Sequence, residues 1–243
     1  NKHLYGEIIN KARDEVANVI NEIAKTEQVI VFSNKEDINE IQNKTDHKNI
    51  DIIECKLDDS WMRDIAPIFY NEDEKLKSIS FEFNGYGKYP DYLNDNKISK
   101  FISNYLNIPT KISDLVIEGG AITYDDKKNL FSTKNVIFNK NRKQKHNSEY
   151  IIKELKLLFD LNYIFLFENG LMEDDTDGHV DNLLCPIGKN QYLIATTHKL
   201  DPNYEILEKN KADLIKFFRD TNQTFDLIEV PLPPRKKINN KNI

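Results

Sequence analysis

Apolar, strand-like runs, each preceded by a helical stretch, end near Cys55, Ile117, Phe167 and Val230, at intervals of 62, 50 and 63 residues. This loose period of about 60 residues constrains the chain more than any other feature, because repeated helix–strand units must share cores with their neighbours. Ile8, Ile9, Ala12, Val16, Val19, Ile20 and Ile23 fall on one helical face. The short apolar run 29–32 reads as a buried strand. Further helices are predicted over 35–43, 97–106, 148–159 and 204–218. Strands are predicted over 50–55, 67–70, 76–83, 112–117, 121–124, 130–132, 163–167, 179–187, 191–196 and 225–230. Turn residues at 71–74, 125–128 and 188–190 mark hairpins, and the segment 84–90 is a breaker-rich loop. The tail from Arg235 is basic, Asn-rich and reads as frayed. The fold class is therefore α/β. Periodicity alone leaves two architectures open, a true repeat or one doubly wound sheet with unrelated loops.

Composition narrows the class. The 243 residues, taken as a single domain over 1–243, are enough to bury a real core. With 34 basic and 40 acidic side chains the net charge is −6, which argues against nucleic acid as a partner. No apolar stretch approaches the roughly 20 residues a membrane helix needs, and residues 1–6 hold no apolar signal core. Two cysteines, Cys55 and Cys185, make no disulfide framework, so a cytoplasmic setting is expected.

Three of the four units are followed by loops rich in reactive side chains: Ser60-Trp61-Met62-Arg63-Asp64, Glu118-Gly119-Gly120, and the segment 173–181. Each has a plainer reading. A lone Trp is usually core, an Arg-Asp neighbour pair is usually a surface feature, and Gly-Gly is often an ordinary turn. The acidic segment fails as a calcium loop: with Glu173 at position 1, Gly178 falls correctly at 6, but Leu184 stands where a bidentate Glu is needed. Zinc is equally unsupported, since Cys185 is the sole nearby thiol. If 179–187 is a strand, His179 and Asp181 share a face, roughly 6.6 Å apart. With Asp64 and Glu118 they make three carboxylates and one imidazole without a basic partner. That set suits a cationic head, above all a planar guanidinium, which carboxylates meet bidentately.

Taken together, Trp61-Met62-Arg63-Asp64-Ile65-Ala66-Pro67, Glu118-Gly119-Gly120-Ala121-Ile122 and Asp175-Thr176-Asp177-Gly178-His179-Val180-Asp181-Asn182 resemble the agmatine deiminase family and its bacterial-type peptidylarginine deiminase relatives. Ala66 departs from the pattern, which usually has Gly there. The resemblance implies a pentein-like α/β-propeller of five ββαβ-type units, here incomplete at both ends. It implies hydrolysis of agmatine to N-carbamoylputrescine and ammonia, a step of polyamine biosynthesis, with no metal or organic cofactor. Carried over to this chain, Asp64 and Asp181 hold the guanidinium nitrogens, and His179 protonates the leaving ammonia and then activates water. Glu118 holds the guanidinium or assists proton transfer, Trp61 packs over the alkyl stem, and Asp175 meets the distal amine. The family nucleophile is a cysteine thiolate following a His near the C-terminus, and it is not visible here: the last Gly is Gly188 and the last His is His198. Cys185 lies six residues along the expected strand from His179, about 20 Å, and reads as a buried free thiol. Cys55 carries no family role. A chain lacking its closing unit is expected to expose strand edges and to be unstable or to associate, so a homo-oligomer is a possible state. Arginine or peptidylarginine deimination, and a catalytically inactive guanidine-binding fragment, are the alternatives.

Overall fold

The computed structural model describes residues 6–234 apart from His47 and Asp73, together with the backbone of 237–238 and 241–242. Helix α1 (Ile9–Ala24) leads into strand β1 (Val29–Ser33). Helix α2 (Ile38–Lys44) then carries the chain back to β2 (Ile50–Glu54), which runs parallel to β1 with Val29 opposite Ile50. After the short helix α3 (Met62–Ile65), a regular pattern sets in. Strands β3 (Ile68–Glu72) and β4 (Lys75–Glu82) form an antiparallel hairpin, helix α4 (Ile98–Tyr105) crosses over, and β5 (Thr110–Val116) pairs parallel to β4. The same order recurs with β6 (Thr123–Tyr124), β7 (Asn129–Thr133), the short helix α5 (Lys134–Ile137), helix α6 (Ser148–Phe159) and β8 (Tyr163–Phe167). It recurs again with β9 (Leu184–Gly188), β10 (Gln191–Thr196), helix α7 (Tyr204–Asp220) and β11 (Asp226–Pro231).

Among the described residues, three ββαβ units and one βαβ unit, each with its own small sheet, replace the alternative of one doubly wound sheet. Neighbouring units bury apolar side chains against each other. Ile79 and Leu115 of one unit pack with Leu130, Ile151 and Leu155 of the next. Phe131 and Phe167 pack in turn with Leu184, Tyr192, Leu214 and Phe218 of the last. Cys55, Ile65, Phe83, Ile98 and Ile102 join the first unit to the second. At about 1.5–3 kcal/mol for each fully buried large apolar side chain, these shared cores set the angle between units.

The parallel strands β2, β5 and β8 end at Glu54, Val116 and Phe167, within a residue of the sequence expectation. Elsewhere the two differ. The apolar face read for α1 is not fully covered: Ala17 and Ala24 are buried, but Val16, Val19 and Ile23 are exposed, because periodicity reports a face and not what lies against it. The strand expected from His179 begins only at Leu184, and Val180–Asn182 is a 3-10 turn. The cause is local. Asp174 accepts from the backbone N–H of Gly178 (3.1 Å) and His179 (3.0 Å), so the chain is curled before it can extend. Where its backbone is described, the tail expected to be frayed forms a short antiparallel pair instead, Lys237–Ile238 against Lys241–Asn242. Among the described residues no helix is long and apolar enough to cross a membrane.

Candidate active site

The loops that follow β2, β5 and β8 leave corresponding ends of their strands, and their side chains converge. The first loop is held by buried Asp95, whose carboxylate accepts from the N–H of Asp58 (2.8 Å) and Asp59 (3.1 Å). Burial pushes the Asp95 carboxyl up to about 6. This fixes the entry to α3, which presents Asp64. The second loop must come very close to the first. A Cβ on Gly119 would lie 2.0 Å from the Arg63 carbonyl oxygen, so no other residue fits there.

Gly120 marks the centre. A Cβ at this position would fall 2.5 Å from Asp181 Oδ2, 2.6 Å from His179 Nδ1 and 2.8 Å from Asp64 Oδ1. Two carboxylates and an imidazole, drawn from two loops, thus meet over the backbone of the third. The Gly120 N–H donates to Asp64 Oδ1 at 3.0 Å. His179 Nδ1 lies 3.5 Å from Asp64 Oδ1, and its Nε2 lies 3.6 Å from Glu118 Oε2. His179 and Glu118 are buried, whereas Asp181 stands at the open side. The juxtaposition of His179 and Asp181 survives, but on a 3-10 turn and not on a strand face.

The expectation that the set lacks a basic partner is corrected. Arg142, fully buried on the turn Lys140–Arg142, places Nε 2.8 Å from Glu118 Oε1 and Nη1 2.6 Å from Asp177 Oδ2. Its Nη1 also donates to the Tyr86 carbonyl (2.9 Å) and its Nη2 to the Thr176 carbonyl (2.7 Å). Lys88 Nζ adds a second partner for Asp177 at 2.6 Å. Arg142 therefore offsets Glu118, and with Lys88 it offsets Asp177. Asp64 and Asp181 remain to face His179 and an incoming cation.

Burial works against the imidazolium of His179, but Glu118, Asp64 and Asp181 together outweigh it and hold its pKa above the ordinary 6.5. At Asp181, crowding by protein disfavours the charge and Asp64 adds repulsion, while His179 opposes both; the net direction is up. A raised folded-state value for His179 means that its stabilising contribution is complete below about pH 6.5 and is lost as pH rises through the folded value. The His179 Cε1–H resonance is expected to titrate with a midpoint above 6.5. Removing the Glu118 charge (Glu118→Gln) should move that midpoint down; an unchanged midpoint would separate Glu118 from the imidazole.

Other expected residues are placed differently. Trp61 caps α3 with 48% of its surface exposed, so it is not core. Asp175 is exposed and is tied in through its carbonyl, which accepts from Lys88 Nζ at 2.8 Å. The expectation that Cys185 is a buried thiol is corrected. Cys185 is exposed on β9, and Cys55 is the buried one, its thiol pushed up by burial and so kept protonated.

Three contributors escaped the sequence reading. Arg142 sits among Lys140, Asn141 and Lys143, with nothing local to mark it as buried. Asp174 was counted only as charge, yet its carboxylate also takes the N–H (2.9 Å) and Oγ1–H (2.8 Å) of Thr176 and so shapes the whole His179 loop. Tyr86, inside the breaker-rich segment, donates its hydroxyl to Asp64 Oδ2 at 2.8 Å. Two glycines around an aromatic residue were the available signal there. Among the described residues, no group of three or more His, Cys, Asp or Glu side chains is arranged to hold a metal ion.

Residues 1–243 match the Porphyromonas-type peptidyl-arginine deiminase family throughout. The chain belongs to that family. A Mycoplasma capricolum relative is 33% identical over 196 residues, covering 78% of this chain and 54% of the relative. Agmatine deiminase of Pseudomonas aeruginosa is 30% identical over 201 residues, covering 79% of this chain and 55% of that protein. The chain thus spans about half the length of these curated relatives. Among solved structures, agmatine deiminase of C. jejuni with substrate bound superposes with a TM-score of 0.87 at 26% identity, covering 98% of this chain and 70% of that one. The pentein-like α/β-propeller class expected from the sequence is that of this deiminase family member.

Proposed function

We propose that the cluster over Gly120 binds a guanidinium and that the protein it serves is an agmatine deiminase, releasing ammonia and N-carbamoylputrescine in the cytoplasm. The observation that carries this reading is the convergence of Asp181, His179 and Asp64 within 2.8 Å of one point above Gly120. Asp64 and Asp181 take the guanidinium N–H groups, since two carboxylates left over after Arg142 and Lys88 are satisfied call for a cation with several donors. Glu118 and Asp64, on either side of the imidazole, hold His179 protonated. In the first step a thiolate adds to the guanidinium carbon, the C–N bond to one terminal nitrogen breaks, and His179 gives that nitrogen a proton so that it leaves as ammonia. In the second step His179, now neutral, takes a proton from water as its oxygen attacks the same carbon; the C–S bond then breaks to return the thiolate, and the remaining hydroxyl proton passes to solvent as the carbonyl forms.

Neither thiol of this chain is the proposed nucleophile. Cys55 is packed among Ile65, Phe83 and Ile98, and Cys185 points to solvent beside the Pro186 carbonyl. The attacking cysteine is proposed to come from outside these 243 residues, which act as one partial deiminase domain. Trp61, exposed beside Asp64, is proposed to cover the alkyl stem, and Asp175 to meet the distal ammonium. A second positive charge and no carboxylate on the ligand favour agmatine over arginine. With the proposed cysteine-bearing part of the protein present, incubation with agmatine, free arginine and an arginine-containing peptide, followed by product analysis, is expected to give carbamoyl product from agmatine alone. Turnover of the peptide alone would refute the substrate assignment.

A further inference from the structure

The loop 84–88 supplies no group to the proposed chemical steps, yet Tyr86 within it touches Asp64, His179 and Arg142. Its hydroxyl donates to Asp64 Oδ2 (2.8 Å), its ring lies 5.9 Å from the His179 ring, and its carbonyl accepts from Arg142 Nη1 (2.9 Å). Tyr86 holds φ 58°, a left-handed conformation uncommon for a bulky side chain, between Gly85 at φ 63° and Gly87 at φ 68°. The surroundings enforce it. Gly87 approaches the Asn141 backbone so closely that a Cβ would meet the Asn141 carbonyl oxygen at 1.9 Å, and Asn84 Nδ2 donates to the Arg142 carbonyl at 2.9 Å. Packing alone does not call for a hydroxyl. The ring sits edge-on to Phe83, with centroids 5.2 Å apart, and a Phe would serve there equally. What the hydroxyl adds is one hydrogen bond, to the carboxylate that faces the ligand.

We propose that Tyr86 is a positioning residue that makes Asp64 selective for a planar guanidinium. The inference rests on the guanidinium reading of the site. With Gly120 N–H on Oδ1 and the Tyr86 hydroxyl on Oδ2, the orientation of the Asp64 carboxylate plane is fixed; Oδ1 also faces His179 Nδ1 at 3.5 Å, and neither oxygen is saturated by these two hydrogen bonds. A bidentate fork needs that plane; a rotatable ammonium does not.

The test is calorimetric binding of agmatine and of putrescine to the wild-type protein, Tyr86→Phe, Asp64→Asn and the double variant. Thermal melts serve as the folding control. Tyr86→Phe is expected to weaken agmatine by about tenfold, the loss typical of a hydrogen bond to a charged group, while putrescine changes by less than about twofold. In the Asp64→Asn background the Tyr86→Phe change should cost nothing further, because a residue acting only through Asp64 has nothing left to position. Equal losses for both ligands, or losses that add in the double variant, would overturn the proposal with agmatine binding intact. Should Tyr86→Phe fail to fold, 4-fluorophenylalanine at position 86, which keeps the ring and its volume but has no donor, takes its place under the same criteria. No agmatine binding by the wild-type protein overturns the functional reading, and this inference with it.

Discussion

Gly120→Ala is expected to abolish agmatine binding while leaving the fold in place. The added methyl would sit 2.5 Å from Asp181 Oδ2, 2.6 Å from His179 Nδ1 and 2.8 Å from Asp64 Oδ1, well inside van der Waals contact. Gly120 is not in the left-handed region, so backbone strain plays no part, and the damage falls on the three side chains that must open to admit the methyl group. Displacing reactive groups by about 1 Å costs on the order of a hundredfold in rate, and here three move at once. Loss of agmatine binding by at least about a hundredfold, with an unchanged circular dichroism spectrum, is the expected result. Near wild-type binding would show that the space above Gly120 is not where the ligand goes.

Arg142→Met should give the largest loss of stability. The side chain is fully buried, and its guanidinium faces Glu118 at 2.8 Å and Asp177 at 2.6 Å. Met matches much of the volume but leaves Glu118 charged and buried with only His179, 3.6 Å away, to offset it. Breaking a buried pair from one side costs about 3–5 kcal/mol. For a domain of this size that is a fall in Tm of roughly 10 °C. Adding Glu118→Gln removes that buried charge and is expected to restore part of the loss. A shift of less than about 1 kcal/mol in chemical denaturation of Arg142→Met would mean that the ion pair does not organise the three loops.

The repeat was legible because its signal is carried by many residues. The apolar runs of β1, β5 and β8 and the helix of α6 each repeat a pattern that a single substitution does not erase. The site acids Asp64, Glu118 and Asp181 were legible for a different reason: each follows an apolar strand at an expected unit end, so topology predicts that they meet. The supports were not. Arg142 and Tyr86 reach the site from loops that lie 56 residues apart along the chain, and their contacts depend on how closely two backbones approach at Gly87. The curl before His179 also depends on a single carboxylate, Asp174, which in sequence is one acid among several. Local pattern reports what a segment prefers. The long-range contacts that turn a cluster of acids into an ordered site leave no periodic trace.

A structure determined with agmatine bound tests the central claim most directly. The account predicts the guanidinium above Gly120, with its nitrogens within hydrogen-bonding distance of Asp64 and Asp181 and the His179 ring beside its central carbon. A guanidinium bound elsewhere, with Asp64 and Asp181 making no contact to it, would contradict the account.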